Sequence, residues 1–431
     1  MNTSFRTKLP LLALVVISIL ALTGFGCRTP TGVGDKGITG DPLVVWGLWQ
    51  ESAWIDPLLE QFKAQTGIAV EYKNMGNVAS YEQELLTALA EGRGPDVFVI
   101  HHTWVESKRG IMSPAPPEII TLRQAQEEFV PVVLDDLIRD NFVYALPTSV
   151  DTLALYYNQD LLAAAGIANA PRTWTDFQRA VEKLTKVSRL GIIQDGGSGA
   201  AMGTASNINR ASDVLQMLMM QQGLSILKED GRSDITEGEI GEKALIFYYD
   251  FANKSKKVYT WDSSQTYSID AFSEGKTAMM INYSYHIPTI RAKNSRLRFG
   301  IAPVPQIPDN SKPVTFASYW PFAVSISSRS PDLSWQLIRF LTGASASQVI
   351  NEAQVAPPAR RDTIPLVQSD PTLGVFADQA LIAASWPRSD IVATDAIFNT
   401  MIENVVKGIQ SIPDALEEAK DKLERISKEE L

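Results

Sequence analysis

Between Leu43 and Ile100 the chain alternates short apolar runs with helical spacing, and this alternation constrains the fold more than any other feature. Leu43 to Trp46 is a short apolar run, which suits a buried parallel strand. Asp56-Pro57 then supplies a helix N-cap followed by proline at the first helical position. Ile55, Leu58, Leu59 and Phe62 recur at helical spacing, and Gly67 ends that helix. Ile68 to Tyr72 reads as the second strand. Ser80 and Gln83 have the spacing of a capping box, opening a helix that carries Leu85, Leu86 and Leu89. Gly94-Pro95 breaks the chain before a third strand, Val97 to Ile100. This β-α-β-α-β order implies an α/β domain with a largely parallel sheet.

A second unit is expected beyond Pro147. Asp160 to Ala165 reads as a helix ended by Gly166, and Thr173 with Asp176 caps another that runs to about Val187. The Gly/Ser/Ala-rich stretch 196–206 reads as a loop. Helices are expected at 212–222, 239–253, 334–341 and 414–426, and strands at 279–282 and 298–302. With 431 residues, 45% of them hydrophobic and 20% charged, the chain can build two or three domains with real cores. Its net charge of −10 repels phosphate backbones, so nucleic acid is not an expected partner.

The N-terminus has the layout of an export signal. Arg6 and Lys8 precede a 17-residue uncharged, largely apolar run, Leu9 to Phe25, slightly short of the ~20 residues that span a bilayer. Cys27, the chain's single cysteine, follows directly and has no intramolecular disulfide partner. Leu22 to Cys27 resembles the lipobox of bacterial lipoproteins, although Gly24 stands where leucine is usual and Phe25 is bulky for its place. The resemblance implies an export signal over 1–26 and a lipid on Cys27, with an uncleaved membrane anchor as the alternative. Residues 28–41 are rich in Gly, Thr and Pro and read as a flexible tether. In either case the remainder is displayed outside the cytoplasm.

In open α/β sheets ligands bind beyond the carboxyl ends of strands. The segments there, Gly47 to Ser52, His101 to Trp104 and Asn282 to His286, mix aromatic and polar side chains, as a binding cleft would.

Six ordered stretches carry a family resemblance: FKAQTGIAV (62–70), AEGRGPDV (90–97), LPTSVDTLALYYNQDLLAAAG (146–166), PRTWTDF (171–177), AFSEGKTAMMIN (271–282) and FGIAPVP (299–305). Together they resemble the extracellular solute-binding proteins of ABC importers, in the branch that includes the maltose-binding protein. The resemblance implies two α/β lobes, each a mainly parallel sheet flanked by helices, joined by several hinge crossovers and closing on ligand like a clamp. Lobe one is then expected over 42–148 and 281–319, and lobe two over 149–280 and 320–431. It further implies capture of a mono- or oligosaccharide by a monomer that delivers it to ABC permease subunits, with no cofactor. Carried onto this sequence, the ligand-binding residues are Trp49, Gln50, Glu51, His101, His102, Thr103, Asp151, Tyr285, Tyr319, Trp320, Arg360 and Trp386. Where the maltose-binding protein has an acidic residue and an arginine, this chain has His102 and Thr103, so the ligand is not expected to be held as maltose is.

Several residues have structural readings beside these. Trp49 and Trp386 could be core aromatics, Asp151 could cap a turn, and Arg360 could be a surface charge. Enzymatic motifs are missing: there is no HExxH, GxSxG or Walker A pattern, and the adjacent His101 and His102 are awkward for one metal. A ligand-sensing receptor on the same fold is the main alternative, and an exported glycoside hydrolase the enzymatic one.

Overall fold

The computed structural model describes residues 41–228, 230–308 and 312–428. The export signal, Cys27 and the tether lie outside the described residues. Pro42–Leu431 forms one compact unit, and it holds two hydrophobic cores.

The first core is built on a sheet that starts as the sequence pattern requires. Strands β1 (Leu43–Gly47), β2 (Val70–Asn74) and β3 (Val97–Val99) pair in parallel in the order β2-β1-β3. Between them run α1 (Ser52–Thr66) and α2 (Val78–Ala90). Gly67 closes α1 with φ 76°, a conformation that costs glycine little. Both helices begin earlier than the caps predict. Glu51 is the N-cap of α1, leaving Pro57 inside the helix, because Trp54 and Ile55 must join the buried face. Asn77, rather than Ser80, caps α2 through a 3.0 Å bond from the Ala79 amide.

The sheet continues antiparallel through β4 (Met112–Ser113) and β5 (Ala145–Leu146), both joined to a strand from much later, Phe322–Ser325. Helix α3 (Pro131–Leu137) packs on this core.

The chain leaves the first core at Val150 and enters the second at Leu153, crossing on β6 (Asp151–Thr152). Strand β7 (Ala154–Asn158) is the centre of the second lobe's sheet, flanked antiparallel by β8 (Met279–Asn282) and β9 (Phe299–Pro303). Helices α4 (Trp174–Leu184) and α5 (Ala211–Gln221) pack on it. The α4 cap is as the spacing predicts: the Thr173 hydroxyl accepts from the Asp176 amide at 3.1 Å.

Strand β10 (Thr315–Ser318) then pairs antiparallel with β6, Ala317 opposite Thr152 and Ser318 opposite Asp151. It carries the chain back, since Phe316 belongs to the second core and Ala317 to the first. Strand β11 (Phe322–Ser325) and α6 (Pro331–Leu341) complete lobe one. A third crossing passes through α7 (Gly374–Ala380), whose Phe376 lies in the second core and Ala377 and Ala380 in the first. Strand β12 (Ala383–Ala384) pairs parallel with β10, and α8 (Ile391–Val406) and α9 (Ile412–Lys428) finish lobe two.

This is the two-lobe α/β clamp with multiple crossovers, but the expectation of a mainly parallel sheet in each lobe is corrected: lobe one's sheet is mixed, and β7, β8 and β9 of lobe two pair antiparallel. The expected lobe boundaries need correction. Residues 281–316 stay with the second core, because β8 and β9 hydrogen-bond to β7. Residues 320–364 return to the first, because β11 hydrogen-bonds to β3. Lobe membership is set by these long-range pairings, which local patterning does not encode.

Candidate functional site

The loop after β1 folds around one amide. Gln50 is buried, and its Oε1 accepts from the backbone N–H of Leu48 and Trp49 at 3.2 and 3.3 Å and from the Tyr72 hydroxyl at 3.1 Å. The approach is so close that a Cβ on Gly47 would lie 2.2 Å from the Tyr72 oxygen. Locked in this way, the loop turns Trp49 outward, 42% exposed. Its indole meets Trp320 edge-on, with centroids 5.1 Å apart. His101, Trp104 and Tyr81 also pack edge-on around Trp320, at 5.2, 5.5 and 6.3 Å. Lobe one therefore presents an aromatic platform centred on Trp320, with Trp49 at its exposed rim.

Behind the platform lies a buried polar network. His102 Nδ1 and Asp136 Oδ2 are 2.8 Å apart, and the Tyr319 hydroxyl donates to the same oxygen at 2.7 Å. The His102 ring stacks on Tyr319 at 4.3 Å. His101 Nδ1 pairs with the Thr103 hydroxyl at 2.8 Å. Burial lowers the pKa of both histidines, so each is neutral at pH 7. For His101 the nearby cations Arg388 and Arg210 add to the effect. Both arginines belong to lobe two.

A second wall, in lobe two, is built at the end of β8. Tyr283 stacks on Tyr285 at 5.6 Å, and Tyr285, 41% exposed, receives a 2.9 Å bond from Arg210 Nε. The Arg210 guanidinium lies over both rings, at 5.6 and 5.8 Å. Arg210 adopts φ 62° at the start of α5, an unfavourable backbone region for a non-glycine residue. His286 extends the wall through a 3.1 Å contact with Asn209, and burial pushes its pKa down to about 4.

Asp151 ties this wall to the hinge. Its carboxylate accepts from the Ser284 amide at 3.0 Å, the Ser284 hydroxyl at 2.8 Å and the Thr152 amide at 2.8 Å. Burial raises its pKa from 3.8 to about 6, although the Ser284 and Thr152 bonds oppose that shift. A folded pKa above the unfolded one means that the native state holds this proton more tightly. The stability from this group is complete below about pH 3.8 and is lost as pH rises through about 6, a change of about 3 kcal/mol. Urea unfolding of wild type and Asp151→Asn at pH 4, 5, 6 and 7 should show the wild-type advantage shrinking by about that amount. A difference independent of pH would contradict the assignment.

The lobes also meet along Ser385 to Ser389. Trp386 and Arg388 pack their side chains into lobe two, with Trp386 Nε1 donating to Gln216 at 2.8 Å. From lobe one, the Thr103 hydroxyl donates to the Arg388 carbonyl at 3.0 Å and Lys108 donates to the Ser389 carbonyl at 2.7 Å. Ser385 donates its hydroxyl to Asp136. The segment is a strap held by both lobes.

The structure gathers Trp49, His101 and Trp320 into one wall, with Gln50, His102, Thr103 and Tyr319 supporting them from behind. Tyr285 stands on the other wall, and Asp151 on the hinge is committed to Ser284. Glu51 is exposed, and its side chain does not bond to the end of α1. Trp386 is a buried plug rather than an open aromatic face. Arg360 is corrected more sharply: it donates to Glu128 at 2.7 Å and to both Asp362 oxygens at 2.9 and 2.8 Å, over the Phe129 ring. Its fork is consumed inside lobe one. Sequence reasoning missed Arg210, Arg388 and Asp136. A cation opening a helix opposes the helix dipole, so Arg210 carried a legible signal; Arg388 and Asp136 carried none.

Among the described residues no helix is long and apolar enough to cross a membrane, and no His/Cys/Asp/Glu group could hold a metal ion. Two lobes hinged by three crossings, with an aromatic wall facing a polar one, define a solute-binding clamp. Residues 46–348 match the family model for bacterial extracellular solute-binding proteins, and the chain belongs to that family. It is 20% identical over 368 residues to the maltooligosaccharide ABC transporter solute-binding lipoprotein of Streptococcus pneumoniae (strain ATCC BAA-255 / R6), covering 84% of this chain and 82% of that one. Its fold is similar to the sugar-binding protein of Xanthomonas citri, with TM-score 0.74, 21% identity, and 90% and 98% of the two chains covered. A Mycobacterium tuberculosis protein solved with glycerophosphocholine is also similar, with TM-score 0.73, 18% identity, and 90% and 99% covered.

Proposed function

We propose that this chain captures a mono- or oligosaccharide outside the cytoplasm and delivers it to ABC permease subunits by closing its lobes. The observation that carries this reading is the pair of facing walls: Trp49 on Trp320 in lobe one, and Tyr285 under Arg210 in lobe two. Sugars need apolar ring faces to stack on and planar polar groups for their hydroxyls, and these walls offer both. Ligand contacts made by both lobes exist only in the closed state, so binding shifts the population toward closure. The chain acts as a monomer, and acylated Cys27 holds it at the membrane. Binding, not catalysis, is its role, in keeping with the family.

The test is a thermal-shift screen of residues 42–431, the compact unit with both cores, against sugars, polyols, amino acids, peptides and glycerophosphocholine. A ligand at 100 times its dissociation constant adds about 2.7 kcal/mol of stability. A carbohydrate hit that Tyr285→Ala abolishes supports the reading. A hit confined to amino acids, peptides or glycerophosphocholine removes the sugar assignment and keeps the clamp. For the anchor, Cys27→Ser should release the exported chain from membranes; retention would refute acylation.

A further inference from the structure

Two buried arginines in this chain are treated very differently. Arg360 spends its fork on Glu128 and Asp362 at 2.7–2.9 Å. Arg388, with a side chain only 2% exposed, has no such partners. Its Nε has no hydrogen-bond partner, and its Nη1 stands 3.8 Å from both Asp213 and Asp395, beyond hydrogen-bond distance. A buried guanidinium is costly unless its donors find acceptors, so this arrangement is incomplete without a further group. Its position is well fixed. The ring of Phe316 lies 5.3 Å from the guanidinium, and the Arg388 carbonyl is held by Thr103 from the other lobe. The cation also acts on His101 across the cleft. Arg388 thus sits where the two lobes meet, its carbonyl held from lobe one and its guanidinium packed in lobe two.

The two carboxylates decide what kind of solute. Asp213 accepts from the Tyr283 hydroxyl at 2.9 Å, and Asp395 accepts from Ser212 at 2.9 Å. Each still has lone pairs to offer beside Arg388. A hydroxyl inserted here can accept from the guanidinium and donate to a carboxylate together. A carboxylate or phosphate can only accept, and it would face two like charges. A cationic group would face Arg388 and Arg210.

We infer that Arg388, Asp213 and Asp395 form a subsite for adjacent hydroxyls of an uncharged sugar, making Arg388 a specificity-determining residue of the cleft. The inference rests on the sugar reading above and goes further in excluding acidic sugars and sugar phosphates.

The test is calorimetric titration of residues 42–431 with the neutral sugar found by the screen and with its uronate counterpart. The uronate should bind at least ~10-fold more weakly. Arg388→Lys keeps the charge and the fold but loses the planar fork, and should weaken sugar binding ~10–100-fold with little change in melting temperature. Asp395→Asn should narrow the gap between sugar and uronate. Sugar affinity unchanged in both variants would overturn the subsite and leave the sugar reading intact. A wild-type preference for the uronate would overturn the exclusion of acidic sugars. Failure of wild type to bind any neutral sugar would sink both readings.

Discussion

Trp320→Ala is expected to destabilise the protein by about 3 kcal/mol and to abolish most solute affinity. The indole is the hub on which Trp49, His101, Trp104 and Tyr81 all pack edge-on, at 5.1–6.3 Å. Truncating a large aromatic leaves a cavity that its neighbours fill only partly, and typical losses are ~3–5 kcal/mol for fully buried rings. Trp320 is only partly buried, which places the expectation at the lower end. The effect on binding has a separate origin. Trp49 is 42% exposed, and its ring is oriented by its contact with Trp320. Without that contact it regains rotamer freedom, which binding must then remove. Urea unfolding and calorimetric titration measure the two effects. A stability loss under about 1 kcal/mol would show that the cluster is not cooperative.

Asp136→Ala should cost still more, about 3–5 kcal/mol. The carboxylate accepts from the Tyr319 hydroxyl and the Ser385 hydroxyl and pairs with His102 Nδ1. Tyr319 retains a 3.3 Å bond to the Val132 carbonyl, but His102 Nδ1 loses its partner. The other ring nitrogen of His102 is already without one. The substitution thus strands a completely buried imidazole, and a stranded buried donor costs about 1–3 kcal/mol. The hold of lobe one on Ser385 goes with it, so the strap loosens. Asp136→Asn preserves shape and part of the acceptor capacity and should cost roughly half as much. Chemical unfolding of both variants tests this, and equal losses would contradict the accounting.

Much of lobe one was legible because its signals are local. The parallel strands at 43–47, 70–74 and 97–99 are short apolar runs separated by helical periodicity and glycine stops. The Thr173 cap, the strand at 279–282 and the C-terminal amphipathic helix were legible for the same reason. The lobe boundaries were not, because β8 and β11 find partners more than a hundred residues away, and their own sequences fit either sheet. The site divides in the same way. Trp49, His101 and Tyr285 follow strand ends, where α/β folds place their ligands. Arg360 follows the proline pair Pro357-Pro358, yet Glu128, more than two hundred residues earlier, claims its charge. Arg388 and Asp136 matter through partners distant in sequence, Asp213 and Thr103 for the first and Tyr319 and Ser385 for the second, and no local pattern announces that.

The threefold crossing between lobes also sets when this protein can fold. Lobe one needs Val45, Val97 and Phe322 through Ile364 in the same core, and lobe two needs Leu155 together with Leu416 and Leu423. Neither core can close while the last third of the chain is still being made. Contacts of such long sequence separation also slow folding once synthesis ends. The alternating thread therefore works as a built-in delay. During that delay the first core waits for the segment from Phe322 to Ile364, and the second closes only after the C-terminal helices have arrived.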